Sequence, residues 1–153
     1  MTVMNLDKLE VWVRASEFAV AVYKDVLPHL PPEEKWNLGQ QLRRAAQSIP
    51  ANIAEGHGRY HYLDNVRFCY MARGSLTEVE SHMKLAHELS YLPENIYQHM
   101  STYAESVGKQ LNNYIGYLKR SKQGEKEAPA GYTVREEYEP FLPDYPSEPS
   151  PSS

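Results

Sequence analysis

Apolar residues recur at alternating steps of three and four in four successive stretches of the chain, a spacing typical of amphipathic α-helices. No stretch alternates apolar and polar residues for more than a few positions, so the pattern does not predict strands. The sequence therefore predicts an all-α protein.

The first stretch has a wide hydrophobic face. Asp7 and Glu10 have the spacing of a capping box at its start. The predicted core-facing line consists of Leu9, Val13, Ser16, Val20, Tyr23 and Leu27. A neighbouring apolar line consists of Trp12, Ala19, Val22 and Val26. Two apolar lines on one helix indicate contact with two partners.

The second helix is predicted from about residue 32 to about residue 55, after the break made by Pro28 and Pro31, with Glu33 and Glu34 in its first turn. Its core line consists of Leu38, Leu42, Ala45, Ile49 and Ile53. Pro50 falls inside this helix, where a proline removes a backbone hydrogen bond at a cost of roughly 3 kcal/mol. We therefore expect a kink near residues 47–50.

The third and fourth helices are predicted at about 62–91 and 94–122. The third has the seam Cys69, Ala72, Leu76, Val79, Met83 and Ala86. The fourth has Ile96, Met100, Tyr103, Val107, Leu111, Tyr114 and Leu118. Short connections make neighbouring helices antiparallel, so the sequence predicts an antiparallel up-down-up-down four-helix bundle over residues 1–122.

From residue 123 the chain becomes rich in Pro, Glu and Ser, which predicts a disordered acidic tail over residues 123–153. The tail holds 2 basic and 7 acidic residues, a net charge of −5, whereas residues 1–122 hold 14 basic and 13 acidic residues, a net charge of +1. The total of −4 therefore does not argue against a polyanionic partner for the bundle. Four aromatic residues leave open a tail that docks on a partner: Tyr132, Tyr138, Phe141 and Tyr145.

The chain has no apolar run near the ~18 residues that cross a bilayer and no signal-peptide pattern at residues 1–7. The single cysteine, Cys69, excludes an intrachain disulfide and lies on the predicted core seam, which favours an inert buried thiol. We expect a cytoplasmic protein that does not bind membranes.

A polar line runs beside the apolar line of the second helix: Gln41, Arg44, Ser48, Asn52, Glu55 and, beyond its end, Arg59. One interpretation is a hydrogen-bond network that satisfies backbone groups freed by Pro50 and fixes helix or subunit register. A second is nucleic-acid contact through Arg43, Arg44 and Arg59. A catalytic Glu55 is least favoured, because no second carboxylate or nucleophile accompanies it.

Metal and cofactor motifs are weak. His57 and His61 are four residues apart, but Gly56 and Gly58 make a shared helical face improbable, and Asp64 is the only further ligand nearby in sequence. The run 56–58 has neither the preceding strand nor the lysine of a phosphate-binding loop. We predict no metal, no cofactor and no catalytic residue.

The segment 41–59 contains the motifs Arg-Ala-Ala, Ser-Ile-Pro, Asn-Ile-Ala-Glu-Gly and Gly-Arg, and Arg67-Phe68 and residues 72–80 follow it. With these motifs the chain, over roughly residues 6–122, resembles the bacterial four-helix bundle proteins encoded in intervening sequences of large-subunit ribosomal RNA genes. More distantly it resembles the accessory variability protein of diversity-generating retroelements. The resemblance implies a homopentamer and, for the retroelement branch, a basic surface that binds a reverse transcriptase and nucleic acid.

A bundle with a net charge of +1 must concentrate its positive residues to bind a polyanion. The predicted nucleic-acid-binding residues are Arg43, Arg44, Arg59, Arg67, Arg73, Lys119, Arg120 and Lys122. We therefore expect a non-enzymatic homo-oligomer that binds structured RNA or DNA, or a reverse transcriptase, as an accessory factor. The alternative is a structural protein-interaction bundle whose partner is recruited by the tail or by the face around Trp12.

Overall fold

The computed structural model describes residues 5–125, which contain four α-helices and no strand. The helices are α1 Glu10–Ala21, α2 Leu38–His57, α3 Tyr62–Glu88 and α4 Glu94–Ser121. The predicted all-α four-helix bundle is confirmed. The predicted tail lies outside the described residues except for residues 123–125. No helix within residues 5–125 is long and apolar enough to cross a membrane.

Side-chain contacts show how the helices run. In the contacts between α3 and α4, the residue number rises along α3 as it falls along α4: Asn65 contacts Tyr114, Arg73 contacts Asn112, and His87 contacts Glu94. Contacts between α1 and α4 do the same: Arg14 with Ser106, and Phe18 with Tyr103. Both pairs are therefore antiparallel, and the short connection 58–61 joins α2 to α3 in the manner predicted for a helical hairpin.

The core lines predicted for α2 and α3 are confirmed, since every one of their residues is buried. On α4, four predicted positions are buried, and two residues outside the predicted line, Ala104 and Ile115, complete the stripe. Ile96, Tyr103 and Tyr114 are only partly buried and pack at the margin of the core.

The core line predicted for α1 was wrong. Val20 is 47% exposed and Tyr23 is 36% exposed. Three residues of the neighbouring line, Ala19, Val22 and Val26, are buried, and they belong to a buried line that also contains Val11, Ala15 and Phe18. It is displaced from the predicted line by two residues, about 200° around a helix, so α1 has apolar side chains on two opposite faces. Spacing cannot choose between two such lines. The face that carries Phe18 is buried, with its ring 5.2 Å from that of Tyr103.

The first two helices begin later than predicted. Residues Leu6–Lys8 form a 3₁₀ turn, and Leu9 precedes α1 without any side-chain cap, so the predicted capping box is wrong. Pro32–Glu34 form a separate 3₁₀ turn before α2. Glu34 still supports the start of α2, because its Oε2 accepts a hydrogen bond of 3.2 Å from the Leu38 amide.

The end of α1 and the middle of α2 depart from regular α-helix in different ways. A π-helical turn, Val22–Val26, extends α1, and the 3₁₀ turn Leu27–His29 ends the run. By contrast, α2 stays helical through Pro50, and the Asn52 side chain donates a hydrogen bond of 2.8 Å to the Ser48 carbonyl in the adjoining turn. The kink near Pro50 stays a prediction.

The corrected face of α1 can be tested with two identical substitutions on the same run of chain. Val22→Ala should lower the free energy of unfolding by about 2 kcal/mol, because Val22 is fully buried. Val20→Ala should change it by less than about 0.5 kcal/mol, because Val20 is half exposed. Urea denaturation of both variants measures the difference, and equal losses would contradict the assigned face.

Candidate nucleic-acid interface

Three helix ends meet at one end of the bundle: the C-terminus of α2, the N-terminus of α3 and the C-terminus of α4. The Tyr62 amide donates a hydrogen bond of 2.9 Å to the carbonyl of Gln123, which holds the chain after α4 against the connection between α2 and α3. This surface, here called the basic end, carries six of the eight predicted binding residues: Arg59, Arg67, Arg73, Lys119, Arg120 and Lys122.

Phe68 joins two of these arginines. The guanidinium carbons of Arg59 and Arg67 lie 5.2 Å and 5.4 Å from the centre of its ring. Such cation–π contacts orient guanidinium groups while leaving their N–H groups able to bind an anion. Arg59 also forms an exposed ion pair of 3.0 Å with Glu55, one turn back on α2. Phe68 therefore gathers positive charge from the end of α2 and the start of α3.

Tyr70 performs the same role between α3 and α4. Its ring centre lies 4.8 Å from the guanidinium of Arg73 and 5.5 Å from the ammonium of Lys119. Arg73 also donates a hydrogen bond of 3.1 Å to Asn112 Oδ1 on α4. Two cations that are distant in sequence thus lie on one aromatic ring.

Two exposed tyrosines complete the basic end. Tyr60 is 60% exposed in the connection before α3, and Tyr117 is 57% exposed near the end of α4. Exposed rings beside arginines stack unpaired bases in many nucleic-acid-binding proteins. Sequence reasoning missed both residues, although Arg59-Tyr60 and Arg67-Phe68 place a cation next to a ring in the chain itself.

Charge is segregated along the long axis of the bundle. The ranges 5–14, 54–74 and 111–125, at and beside the basic end, hold eight basic and five acidic residues, a net charge of +3. The ranges 22–47 and 76–105 form the opposite half, where Tyr91 contacts Glu34 and Arg43 contacts Lys35, and hold five basic and eight acidic residues, a net charge of −3. The nearly neutral bundle predicted from residue counts is therefore strongly polarised.

Arg43 and Arg44 lie away from the basic end. They occupy the first half of α2, roughly 20 Å from its C-terminus at 1.5 Å per residue. Arg43 donates a hydrogen bond of 2.7 Å to the Lys35 carbonyl and lies 5.8 Å from the ring centre of Trp36, which is 70% exposed. They line an open groove of about 400 Å³ with Trp36, Gln40, Gln47, Ser48 and Ala51. The structure does not bring these two arginines together with the other six.

Comparison with known proteins identifies the family. A family model described as "23S rRNA-intervening sequence protein" matches residues 7–113. The chain belongs to this family. The resemblance seen in the motifs of α2 and α3 is confirmed for this branch, whereas the link to retroelement proteins stays an expectation. Arg59, Arg67 and Arg73 lie within the matched residues, and Lys119, Arg120 and Lys122 lie beyond them.

A solved structure has the same fold. It is the crystal structure of a protein with unknown function from the S23 ribosomal protein family of Bacteroides thetaiotaomicron, which is 23% identical to this chain, with a TM-score of 0.63. The match covers 69% of this chain and 97% of that one. No curated protein matches the sequence. At this identity the likeness supports the fold alone.

In this intervening-sequence family protein, the glycine of the Asn-Ile-Ala-Glu-Gly motif lies at a close approach of α2 and α3. A Cβ atom on Gly56 would lie 2.8 Å from Asn65 Oδ1 and 2.8 Å from the Cβ atom of Phe68. Only a residue without a side chain fits there. Gly56 therefore sets the position of Phe68, and with it that of the arginines on its ring.

The polar line of α2 makes contacts within that helix and the turn after it. Gln41 and Arg44 are exposed, whereas Ser48 and Asn52 are partly buried and joined by the Asn52 hydrogen bond. Glu55 is paired with Arg59 at the end of the line. The hydrogen bond between Asn52 and Ser48 favours the interpretation of the line as a hydrogen-bond network. The ion pair between Glu55 and Arg59 connects the end of the line with the basic end.

Asn65 and Cys69 form a polar pair beneath the basic end. Asn65, the buried polar residue of the described core, donates a hydrogen bond of 3.2 Å to the Tyr114 hydroxyl. The Cys69 thiol donates to Asn65 Oδ1 over 3.6 Å. Burial raises the pKa of Cys69 to about 12, so the thiol is protonated at neutral pH. The predicted burial of Cys69 on the α3 seam is confirmed.

Of the two histidines near the basic end, one caps a helix and the other is exposed. Nδ1 of His61 accepts a hydrogen bond of 3.1 Å from the Leu63 amide and so caps α3, and His57 is exposed at the end of α2. Among residues 5–125, no three His, Cys, Asp or Glu side chains are grouped to hold a metal ion.

The packing role of Gly56 can be compared with that of a second helical glycine. Gly56→Ala should destabilise the protein by about 1–3 kcal/mol through overpacking. Gly108→Ala should stabilise it by roughly 0.5–1 kcal/mol, since alanine favours helix over glycine and the nearest atom to the added Cβ, Leu76 Cδ2, lies at 3.5 Å. Thermal and urea unfolding measure both changes. A tolerated alanine at position 56 would contradict the close approach.

Proposed function

We propose that this protein is a non-enzymatic, cytoplasmic RNA-binding bundle that contacts phosphates and unpaired bases of a structured RNA through its basic end. The observation that carries the proposal is the convergence of six cations at one end of the bundle, four of them on the rings of Phe68 and Tyr70. The name of its family connects the chain with ribosomal RNA genes, and RNA is therefore the nucleic acid proposed here.

Phosphate binding follows from the charge placement. Each phosphate neutralised by Lys or Arg releases counterions, so affinity depends on how many cations reach the backbone together. Arg67 and Arg120 are exposed, and the side chains of Arg59 and Lys122 are about half exposed, with 50% and 55% of their surface accessible. Cations held on rings keep their orientation, and this lowers the entropy lost when they bind.

Base recognition follows from the exposed rings. Folded RNA presents its sequence in loops and bulges, where unstacked bases lie against aromatic side chains. Tyr60 and Tyr117 offer such faces beside Arg59 and Arg120. The basic end therefore offers positive charge for phosphates and flat aromatic rings for unpaired bases. Glu55, the carboxylate considered for catalysis, is exposed and paired with Arg59.

Self-association would raise the affinity further. A homopentamer, as the family resemblance implies, would place five basic ends around one axis if all protomers point the same way, and multivalent contact increases avidity. The outward apolar line of α1, with Val20 and Tyr23, is available for such an assembly. A reverse transcriptase is the protein partner that the retroelement branch implies. The rival function, a protein-interaction bundle without RNA, is favoured by the same α1 face.

The charge requirement is tested with two double variants that change the net charge equally. Arg67→Gln with Arg120→Gln should weaken binding to a fluorescent RNA hairpin by about tenfold or more and reduce the salt slope by about two. Lys24→Gln with Lys84→Gln, both exposed in the acidic half, should change the affinity less than about twofold. Fluorescence anisotropy over a salt series measures both. Equal losses, or wild-type protein that does not bind RNA, would refute the proposal.

The stacking role of Tyr117 is tested separately. Tyr117→Leu keeps an apolar helical residue but removes the ring, and should cost roughly 1–3 kcal/mol of binding to a hairpin with an unpaired loop. Trp36→Leu, which removes a 70% exposed ring from the opposite half, is the matched control and should leave affinity unchanged. If binding to a blunt duplex falls as much as binding to the loop, the ring does not read unpaired bases.

A further inference from the structure

We propose that the acidic C-terminal segment, residues 126–153, binds back onto the basic end of its own bundle. Docking requires only the charges and the path of the chain. Its consequence, competition with RNA for the same cations and rings, rests on the proposed function.

The path of the chain after α4 leads onto the basic end. Lys122 and Gly124 both have left-handed backbone conformations, with φ values of 48° and 77°. Two such residues reverse the chain direction after a helix. Gln123 between them is bound to the Tyr62 amide, and a Cβ on Gly124 would lie 3.2 Å from the Tyr60 ring. The chain therefore crosses the connection before α3, where a continued α4 would have carried it away from the bundle, and Glu125 pairs with Lys122 at 3.6 Å.

Charge selects the basic end over the rest of the bundle. Residues 126–153 contain two basic residues, Lys126 and Arg135, and six acidic ones: Glu127, Glu136, Glu137, Glu139, Asp144 and Glu148. Their net charge of −4 is attracted by the basic end at +3 and repelled by the opposite half at −3.

The segment is long enough to reach every cation of the basic end. At random-coil dimensions, 28 residues span roughly 30 Å. Arg73, deep along α3, lies roughly 16 Å from the start of that helix at 1.5 Å per residue. Attachment at residue 125 gives the segment an effective concentration on the order of millimolar. Weak individual contacts therefore suffice for docking.

The segment carries both kinds of group that the basic end binds. Carboxylates pair with guanidinium groups through two parallel hydrogen bonds. Glu136, Glu137 and Glu139 are interleaved with Tyr138 and Phe141, an alternation of charges and rings that fits the arginines and exposed tyrosines of the basic end. Docked in this way, the segment occupies the groups that phosphates and bases would otherwise contact.

Docking is measured on the full-length chain by attaching a nitroxide at Ser147→Cys and recording amide line broadening by NMR. This position lies 22 residues beyond residue 125, so an undocked chain places the label roughly 26 Å from its attachment point. The label goes to the new cysteine, because Cys69 is fully buried with its pKa raised to about 12. Amides at 59–73 and 117–122 should broaden while those at 24–36 and 84–97 should not. The effect should disappear at about 0.5 M NaCl, where the Debye length is only about 4 Å.

Two charge-matched variants of the labelled protein sharpen the test. Glu136→Gln with Glu137→Gln and Glu139→Gln should abolish the broadening. Glu17→Gln with Asp25→Asn and Glu88→Gln, three exposed acids of the bundle, should preserve it. In parallel, inorganic polyphosphate should bind the segment variant about tenfold more tightly than the wild type and the bundle variant equally well.

Several results would overturn the inference. Broadening that is absent, equal at both ends, or unchanged by the segment variant would show that the segment does not dock. Broadening seen only when labelled ¹⁴N protein is mixed with unlabelled ¹⁵N protein would show contact between copies and exclude docking within one chain. No RNA is present in these measurements. Docking with no RNA binding would therefore refute the proposed function alone, and RNA binding with no docking would refute the inference alone.

Discussion

The close approach of α2 and α3 at Gly56 is the constraint on which the rest of the structure depends. Asn65 and Phe68 occupy the space that a side chain at position 56 would need. This contact joins the two helices next to their connection, and it places Phe68 between Arg59 and Arg67. Gly56 therefore connects the packing of the core with the surface proposed to bind RNA. The Phe68 ring, which orients the two arginines, is itself part of the contact between α2 and α3.

The separation of positive from negative charge along the bundle follows from the antiparallel arrangement of its helices. Antiparallel helices bring segments distant in sequence to the same end, so the start of α3 shares its surroundings with the end of α4. The first half of α3 is basic and its second half acidic, and α4 has the opposite order. Antiparallel packing therefore adds like charges at each end, where parallel packing would have cancelled them. Net charge alone hides this arrangement.

Each end of the bundle has its own chemistry. At the acidic end, Glu94 accepts hydrogen bonds from Gln98 and His87, which lower the pKa of its carboxyl group, and His87 stacks on Tyr97 with 4.3 Å between ring centres. At the basic end, the rings that carry cations, Phe68 and Tyr70, are partly or fully buried, whereas Tyr60 and Tyr117 face solvent. A polyanion would meet attraction at one end and repulsion at the other, so charge would orient the proposed RNA partner on the bundle without a deep pocket.

Sequence alone determined the helices, the seams of α2 and α3, and the identity of the cations, because one apolar line at helical spacing leaves a single face to bury. It offered two apolar lines for α1 and assigned the core to the wrong one, because both satisfy the same spacing, and packing against α2 and α4 buries the line that contains Val22 and Val26. Nor did it separate Arg43 and Arg44 from the other six cations or place Arg73 and Lys119 on one ring. Those relations are set by the antiparallel crossing of helices, which brings residues more than 60 positions apart, such as Tyr62 and Gln123, to one end. Local propensity carries no information about such distances, so the site exists only once the tertiary structure has formed.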